Sequence, residues 1–340
     1  MTSSAPASNP RSRSHRRRTV LLALLLASLV VLLVVRADLR HPATRIVGQV
    51  VHGTLFDLAG LSPRRVYAWR LWIAGLYDAP LGRRWRQAPE RAVPDSFEHR
   101  IQARLDFAAD RIDARVFTTT LAHGNALSWR LDRRETPEAG CLYATLERRT
   151  DNGWAHVASL ATDGQPHRYV VETDGRFRVV LQPELAAPVR GGIALARGGS
   201  LPFPVVDGHG YDIGGGFGVA RDGGARQHKG VDIFADRGTP VRAVAEGRVT
   251  TGNGGLGGHY IFLSSGFTRP RFYYAHLDHF AVDNGAHVAQ GDVIGYVGNS
   301  GNAQGGPTHL HFGIYTGGGA IDPAPFIQAR PSLPERPNRG

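Results

Sequence analysis

The chain has 340 residues, of which 42% are hydrophobic, so it is long enough for two domains with sizeable cores. Its 40 lysines and arginines against 29 acidic residues give a formal charge of +11, but no run of interleaved basic and aromatic residues favours nucleic acid as a partner. The single cysteine, Cys141, excludes a disulfide framework and a cysteine-based zinc site, which leaves the 15 histidines as the main pool of soft metal ligands.

The N-terminal region combines a basic block with an apolar segment. Five arginines between residues 11 and 18 precede an uncharged run, rich in leucine and valine, at residues 19–35. We therefore expect residues 1–18 to be a cytoplasmic tail and residues 19–35 a transmembrane signal anchor in the inner membrane. The bulk of the chain would then lie in the periplasm or extracellular space. A cleaved signal peptide is the alternative, although no small-x-small site ends the run.

Two regions of different character follow. Residues 36–94 are an uncertain linker or helical region, in which Gly75 and Pro80 limit an amphipathic helix near residues 66–77. Residues 95–197 alternate between apolar and polar side chains in short segments separated by turn clusters, which predicts a β-sandwich-like domain. The alternating segments are residues 100–107, 111–117, 141–147 and 176–182.

The C-terminal region is rich in glycine and in short strand-like segments. We expect residues 198–330 to form a second β-rich domain, followed by a tail at residues 331–340. Residues 239–249 and 288–297 share a strand–turn–strand pattern. Glycine-rich loops that we expect to rim a cleft lie at residues 252–258 and 299–306.

Two stretches of this region place metal-binding side chains on single strand faces. His228 and Asp232 are four residues apart, and His309 and His311 are two apart, so each pair lies on one face of an extended strand. If the two strands lie side by side, two or three imidazoles and one carboxylate point into one cleft. Three such ligands with an open fourth position are typical of catalytic zinc, whereas structural zinc has four closed ligands that are often cysteines.

Five motifs occur in one order along this region. They are His-x-Gly-x-Asp at 228–232, Gly-Thr-Pro-Val at 238–241, Tyr-Ala-His-Leu at 274–277, Gly-Asp-Val-Ile-Gly-Tyr-Val-Gly at 291–298 and His-Leu-His-Phe at 309–312. Each motif alone is weak, but together they resemble the lysostaphin-like, or LytM, zinc metallopeptidases of family M23. The resemblance covers roughly residues 214–326, about a third of the chain.

The resemblance implies an antiparallel β-sheet peptidase domain that binds one zinc ion per chain. It implies that His228, Asp232 and His311 are the zinc ligands and that His276 and His309 are the catalytic histidines, without saying which is the base. It also implies a zinc endopeptidase that cleaves peptide bonds in peptidoglycan cross-links or stem peptides during cell-wall remodelling. Where many relatives have Glu after the last motif, this chain has Gly313, which bears on the shape of the cleft.

The resulting expectation is an all-β protein with an N-terminal transmembrane helix, a middle sandwich and a C-terminal peptidase domain. Peptidoglycan and the membrane are its expected partners, and envelope protein partners stay unknown. The alternative is a non-catalytic envelope scaffold or a regulator of another cell-wall hydrolase. Inactive relatives of that kind usually lose metal ligands, whereas all three ligand positions are intact here. A peptidase acting on a secreted protein is also open.

Overall fold

The computed structural model describes residues 62–133, 141–266, 270–329 and 331–334. The expected cytoplasmic tail and membrane anchor lie outside these residues and stay predictions. No helix in the described part of the chain is both long and apolar enough to cross a membrane. The chain divides into two compact units, Met1–Gln87 and Ala88–Gly340.

Two helices precede the strands, α1 (Pro63–Ile73) and α2 (Pro80–Arg91). The hydroxyl of Ser62 accepts a hydrogen bond from the backbone N–H of Arg65 at 3.2 Å, which caps the start of α1. The helix expected near residues 66–77 therefore begins earlier, at Pro63, and ends earlier, at Ile73. The sequence did not predict α2 as a separate helix, because it is arginine-rich and contains Pro89.

Residues 95–199 form two sheets that share one hydrophobic core, as in a β-sandwich. The sheets have the strand orders β1-β3-β8-β5-β6 and β2-β9-β4-β7, and only the β1–β3 pair is parallel. The strands are β1 (Asp95–Ser96), β2 (Arg100–Phe107), β3 (Arg115–Leu121), β4 (Asn125–Arg133), β5 (Leu142–Thr150), β6 (Gly153–Ser159), β7 (His167–Val170), β8 (Gly175–Pro183) and β9 (Val189–Gly199).

Most of the alternating segments coincide with these strands. The segment at residues 100–107 is β2. The segment at 141–147 overlaps β5, which runs from Leu142 to Thr150, and the segment at 176–182 lies within β8. The segment at 111–117 was placed too early, because β3 starts at Arg115 and the described residues before it are irregular. The coarse prediction is confirmed: the described chain is mostly β-strand.

The C-terminal region is built on a ten-stranded sheet. Its central path is β10-β13-β20-β17-β16-β15-β18; β14 and β19 pair with each other, β19 also joins β17, and β21 joins β20. The strands are β10 (Ile213–Gly215), β11 (Ala220–Arg221), β12 (Arg226–Gln227), β13 (Val231–Phe234), β14 (Pro240–Arg242), β15 (Gly247–Gly254), β16 (Gly258–Ser264), β17 (Arg271–Phe280), β18 (His287–Val288), β19 (Val293–Val297), β20 (His309–Thr316) and β21 (Gly319–Ile321).

Strands β13 and β20 place their large apolar side chains on one face of the sheet. Along β20, Leu310, Phe312 and Ile314 are fully buried in the core of the sheet. Because successive side chains of a strand point to opposite faces, His309 and His311 lie on the other face. The same alternation puts Val231 and Ile233 of β13 in the core and Asp232 opposite them. Along β13 and β20, the alternation of the sequence therefore puts the core side chains on one face and the candidate metal ligands on the other.

A short C-terminal turn joins this region to the sandwich within the unit Ala88–Gly340. The side-chain amide of Asn125, which is buried, donates to the carbonyl of Pro325 at 2.8 Å and to Oε1 of Gln328 at 3.2 Å. Gly124 lies against the ring of Phe326 so closely that a Cβ atom would sit 2.3 Å from it. The absence of a side chain at Gly124 is thus a packing requirement of the contact.

Candidate metal centre

The pairing of β13 with β20 brings together the side chains that the sequence placed far apart. The strands are antiparallel, with Asp232 opposite His311 and Phe234 opposite His309. His228 precedes β13 and its ring turns back toward the same point. The three expected ligands, His228, Asp232 and His311, each offer one ligand atom, and these atoms lie within 4.8 Å of one another.

The distances within this cluster are short. Nε2 of His228 lies 3.0 Å from Oδ1 of Asp232, and Nδ1 of His311 lies 3.1 Å from the same oxygen. The two imidazole nitrogens are 2.8 Å apart. Ligands at ~2.0–2.1 Å from a tetrahedral zinc ion would be separated by roughly 3.3 Å. The three atoms are thus close to the spacing that a single zinc ion requires.

The protonation of the cluster also suits a cation. Nδ1 of His228 donates to the carbonyl of Gly216 at 2.7 Å, which leaves Nε2 with its lone pair toward the cluster. Burial lowers the pKa of His311, and so favours its neutral form, although the neighbouring Asp232 opposes this. Burial by itself would raise the pKa of Asp232, but the two neighbouring histidines outweigh it and hold the pKa below its usual range. The donor set fits zinc.

His276 reaches the cleft through an irregularity in β17. The register between β16 and β17 shifts by one residue, from Ile261 opposite Tyr274 to His259 opposite Leu277. His276 itself has a left-handed backbone, with a φ of 63°. Simple alternation would send its side chain to the core with Tyr274. The bulge re-aims it toward the open face.

The two expected catalytic histidines stand beside the ligand cluster. Nδ1 of His276 donates to the carbonyl of Ser300 at 2.8 Å, and Nδ1 of His309 donates to the carbonyl of Pro307 at 2.9 Å. Each Nε2 atom is therefore a proton acceptor, and that of His309 lies 3.9 Å from Oδ1 of Asp232. The two rings are 4.9 Å apart between centroids. Burial lowers the pKa of His276 to about 4, so this side chain is neutral at neutral pH.

Arg221 is a site residue that sequence reasoning missed. Its guanidinium donates to Oδ2 of Asp232 at 2.5 Å, and so holds the oxygen that does not face the two histidines. Arg221 lies on the hairpin of β11 and β12, whose strands are only two residues long. The Asp-Gly-Gly turn at residues 222–224 was a usable hairpin signal. The strands are too short for any alternation to show which way Arg221 points.

The cluster lies in an open cleft of about 1160 Å³. Its lining includes Leu256 and Gly257 of one glycine-rich loop and Asn302, Ala303, Gln304 and Gly306 of the other, so both loops line the cleft as expected. The loops are joined by a hydrogen bond from the N–H of Asn302 to the carbonyl of Leu256 at 3.0 Å. The N–H of His276 donates to the carbonyl of Gly257 at 2.9 Å, which ties the bulge to the same loop.

The fold and cluster define an antiparallel β-sheet domain with a two-histidine, one-aspartate centre in an open cleft. Residues 226–323 match the model of Peptidase family M23. The expected resemblance is thereby confirmed, and this region of the chain belongs to that family.

Curated relatives and a solved structure each align with about a third of the chain. The L-Ala--D-Glu endopeptidase of Bacillus subtilis is 37% identical over 38% of this chain and 44% of its own length. The glycyl-glycine endopeptidase ALE-1 of Staphylococcus capitis is 36% identical over 36% of this chain and 33% of its own length. The chain thus spans less than half the length of these relatives. The catalytic domain of lysostaphin from Staphylococcus simulans is 34% identical, with a TM-score of 0.31, over 33% of this chain and 89% of that one.

Proposed function

We propose that the protein is a zinc-dependent endopeptidase that cleaves peptide bonds in peptidoglycan. The observation that carries the proposal is the convergence of three ligand atoms within 4.8 Å in an open cleft, with two further histidines beside them. The family match and the endopeptidase names of two relatives support the reaction class. A scaffold would need neither an intact ligand set nor proton acceptors beside it.

In this proposal, His228, Asp232 and His311 hold the metal. When bound, a zinc ion acts as a Lewis acid that supplies a nucleophile at neutral pH and polarises the peptide carbonyl. Arg221 keeps the second oxygen of Asp232 engaged, so that the first is presented to the cluster. The rigid strand pairing of β13 and β20 fixes these positions before substrate arrives.

His276 and His309 move the protons of the reaction. Their Nδ1–H groups are committed to backbone carbonyls, so only Nε2 of each can accept a proton within the cleft. A ring that has accepted a proton can then donate it to the leaving amine or to the oxyanion. Because burial disfavours the charged form of His276, a proton taken up there is readily passed on.

The test is the digestion of purified sacculi with identification of the products by mass spectrometry. The zinc-loaded protein should release new peptide ends, and EDTA should abolish the release until zinc is restored. Asp232→Asn should lose both bound zinc and cleavage. Cleavage that survives complete removal of metal would contradict the zinc mechanism. Binding of sacculi by the wild type without any new peptide end would favour the scaffold instead.

We also propose that the protein acts outside the cytoplasm, attached to the inner membrane by residues 19–35. The proposal rests on the arginines and the apolar run of the sequence and on the location of the proposed substrate. Fractionation of cells should place the full chain in the membrane, with the C-terminal region open to external protease. Recovery of the full chain in the cytoplasmic fraction would overturn it.

A further inference from the structure

The cleft around the candidate metal centre is strongly cationic. Its only lining carboxylate among the described residues is Asp232, which belongs to the ligand cluster. The lining cations are Arg221, Arg226, Lys229 and Arg271. A bound zinc ion would add to this positive charge. A cleft lined by one sign of charge attracts and orients ligands of the opposite sign.

Two of these cations are already neutralised by carboxylates of the protein. Arg221 pairs with Asp232, and Arg226 pairs with Asp222. The other two, Lys229 and Arg271, are exposed, and neither forms an ion pair with a described carboxylate. Their charge is therefore left for a ligand.

The guanidinium of Arg271 is held in place by an aromatic ring. It lies over Phe262, with its central carbon 4.6 Å from the ring centroid. This contact orients the planar group and leaves its edge N–H donors for a planar anion. A carboxylate binds such an edge through two parallel hydrogen bonds. Arg271 is thus prepared for a carboxylate rather than for a neutral peptide group.

Both residues lie toward the same end of the cleft. Arg271 of β17 pairs with Tyr315 of β20, four residues beyond His311. On the other side of β20, the carbonyl of Lys229 lies 3.2 Å from the point where a Cβ of Gly313 would be. A strand advances ~3.3 Å per residue, so this end is on the order of 10 Å from His311. That distance corresponds to about three residues of an extended peptide.

We propose that Lys229 and Arg271 form a carboxylate subsite, so that the substrate is an anionic peptide with a free carboxylate two to three residues from the cleaved bond. The inference rests on the proposed function and narrows its substrate class. It separates carboxylate-bearing peptides from oligoglycine and from peptides whose carboxylates are amidated. The names of the relatives do not decide this point, since one contains an acidic residue and the other only glycine.

The experiment compares soluble cross-linked muropeptides with the same material after carbodiimide-mediated amidation, which replaces each carboxylate by an amide of similar shape. The zinc-loaded full chain is used for both hydrolysis and calorimetric binding. We expect kcat/KM to be roughly tenfold higher for the native form, the scale of two charge-assisted contacts. High salt should reduce this ratio, because exposed charges are screened.

Variants test whether Lys229 and Arg271 cause the preference for the native form. The double variant Lys229→Met with Arg271→Met should bring the ratio of kcat/KM for native over amidated muropeptides close to one, whereas Lys229→Arg should preserve that ratio. The matched control is Arg242→Met, which removes an exposed cation of the same domain outside the cleft and should leave the ratio unchanged. Thermal melts check that the double variant is folded, and the salt dependence of the wild type tests the proposal without any variant.

The outcomes separate this inference from the proposed function. Cleavage of both forms at equal rates with equal binding overturns the carboxylate subsite and leaves the endopeptidase intact. Tighter binding of the native form without cleavage overturns the endopeptidase and leaves the subsite intact. If the double variant still prefers the native form to the same degree, other residues cause the preference, and the role of Lys229 and Arg271 is overturned. Failure to bind either form also overturns the subsite.

Discussion

Three histidines of the cleft are fixed by the same device. In His228, His276 and His309, Nδ1 donates to a backbone carbonyl, so Nε2 keeps its lone pair. A carbonyl can only accept a hydrogen bond, and the tautomer of each neutral ring is therefore set by the fold. In the proposed function, the role of each ring then depends on where its Nε2 points, toward the metal or toward the substrate.

The first prediction at this scale separates metal binding from proton transfer. His309→Ala and His276→Ala should each lower kcat by roughly 10²- to 10⁴-fold, the usual contribution of a positioned acid or base. Bound zinc, measured by atomic emission, should be unchanged because neither ring belongs to the ligand cluster. His287→Ala, which removes an exposed histidine outside the cleft, serves as the control. Loss of zinc in either variant would mean that the ring is a ligand.

A second prediction concerns Arg221. Replacing it by Met frees Oδ2 of Asp232, so the carboxylate is less well oriented toward the two histidines. We expect zinc affinity to fall by roughly 10- to 100-fold, as is usual when a group that supports a ligand is removed. Competition with a chelator measures this change. An affinity equal to that of the wild type would show that the strand pairing alone positions Asp232.

The sequence was most informative for residues whose position follows from alternation. The spacings of His228 with Asp232 and of His309 with His311 placed each pair on one strand face, and the structure brings them together. His276 could not be placed in this way, because a bulge reverses the face that its position in β17 implies. Its inclusion depended on the family resemblance. No alternation pointed to Arg221, which contacts the cluster from a very short hairpin.

At the scale of secondary-structure elements, the bulge in β17 depends on two loops that touch through glycines. A Cβ on Gly258 would lie 2.3 Å from the backbone N of Gly301, and one on Gly301 would lie 2.4 Å from the N of Gly258. No other residue fits this approach. Since Gly257 accepts the N–H of His276, the packing of the loops supports a cleft residue.

Gly258→Ala should therefore destabilise the protein more than a glycine substitution that only strains the backbone. Gly255→Ala is the matched control, since Gly255 has a similar φ of 59° but nothing within 4 Å of its Cβ position, against a φ of 62° at Gly258. In both variants, a side chain at a left-handed backbone position lowers the free energy of unfolding by ~1–2 kcal/mol. The clash should add about 1–3 kcal/mol at Gly258 only. Denaturant unfolding measures the difference, and equal losses would contradict the packing argument.

Element boundaries were predicted well where one face is buried. The segment at 100–107 matches β2, because a half-buried strand shows its period directly. The segment at 111–117 was wrong in its first half, since an alternating stretch without a pairing partner does not become a strand. The two-residue strands β1, β11, β12 and β18 are too short to show any period. They exist through tertiary pairing, which composition does not reveal.

At the scale of the whole molecule, the contact between the sandwich and the C-terminal turn suggests that Ala88–Gly340 unfolds as one unit. Gly124→Ala would drive a methyl group into the ring of Phe326 and open this contact. We expect calorimetry to show two thermal unfolding transitions for this unit in the variant instead of one. Cleavage of sacculi should be retained at temperatures below the first transition. The control is Gly153→Ala in the same sandwich, where nothing lies within 4 Å of the Cβ position. Two transitions in the wild type would contradict the coupling.

The general organisation of the chain was readable from patterns that extend over many residues. The mostly β character follows from repeated alternation and turn clusters and is confirmed for the described residues, which also contain α1 and α2. The joining contact between the two β-regions was not predictable, because it consists of a few groups such as Asn125 and Phe326 that are about two hundred residues apart. The expected domain limits, the tail and the membrane anchor stay predictions.

The two-faced construction of β20 has a consequence for how such a protein can change. Leu310, Phe312 and Ile314 are committed to the interior, and His309 and His311 belong to the candidate site. Substitutions on this strand that change the preference for substrate are therefore restricted to Gly313, Tyr315 and Thr316. A methyl group at Gly313 would lie 3.0 Å from the ring of Tyr315, which lines the cleft, and would therefore crowd that ring. Laboratory selection for new peptide preferences should therefore begin at these three sites.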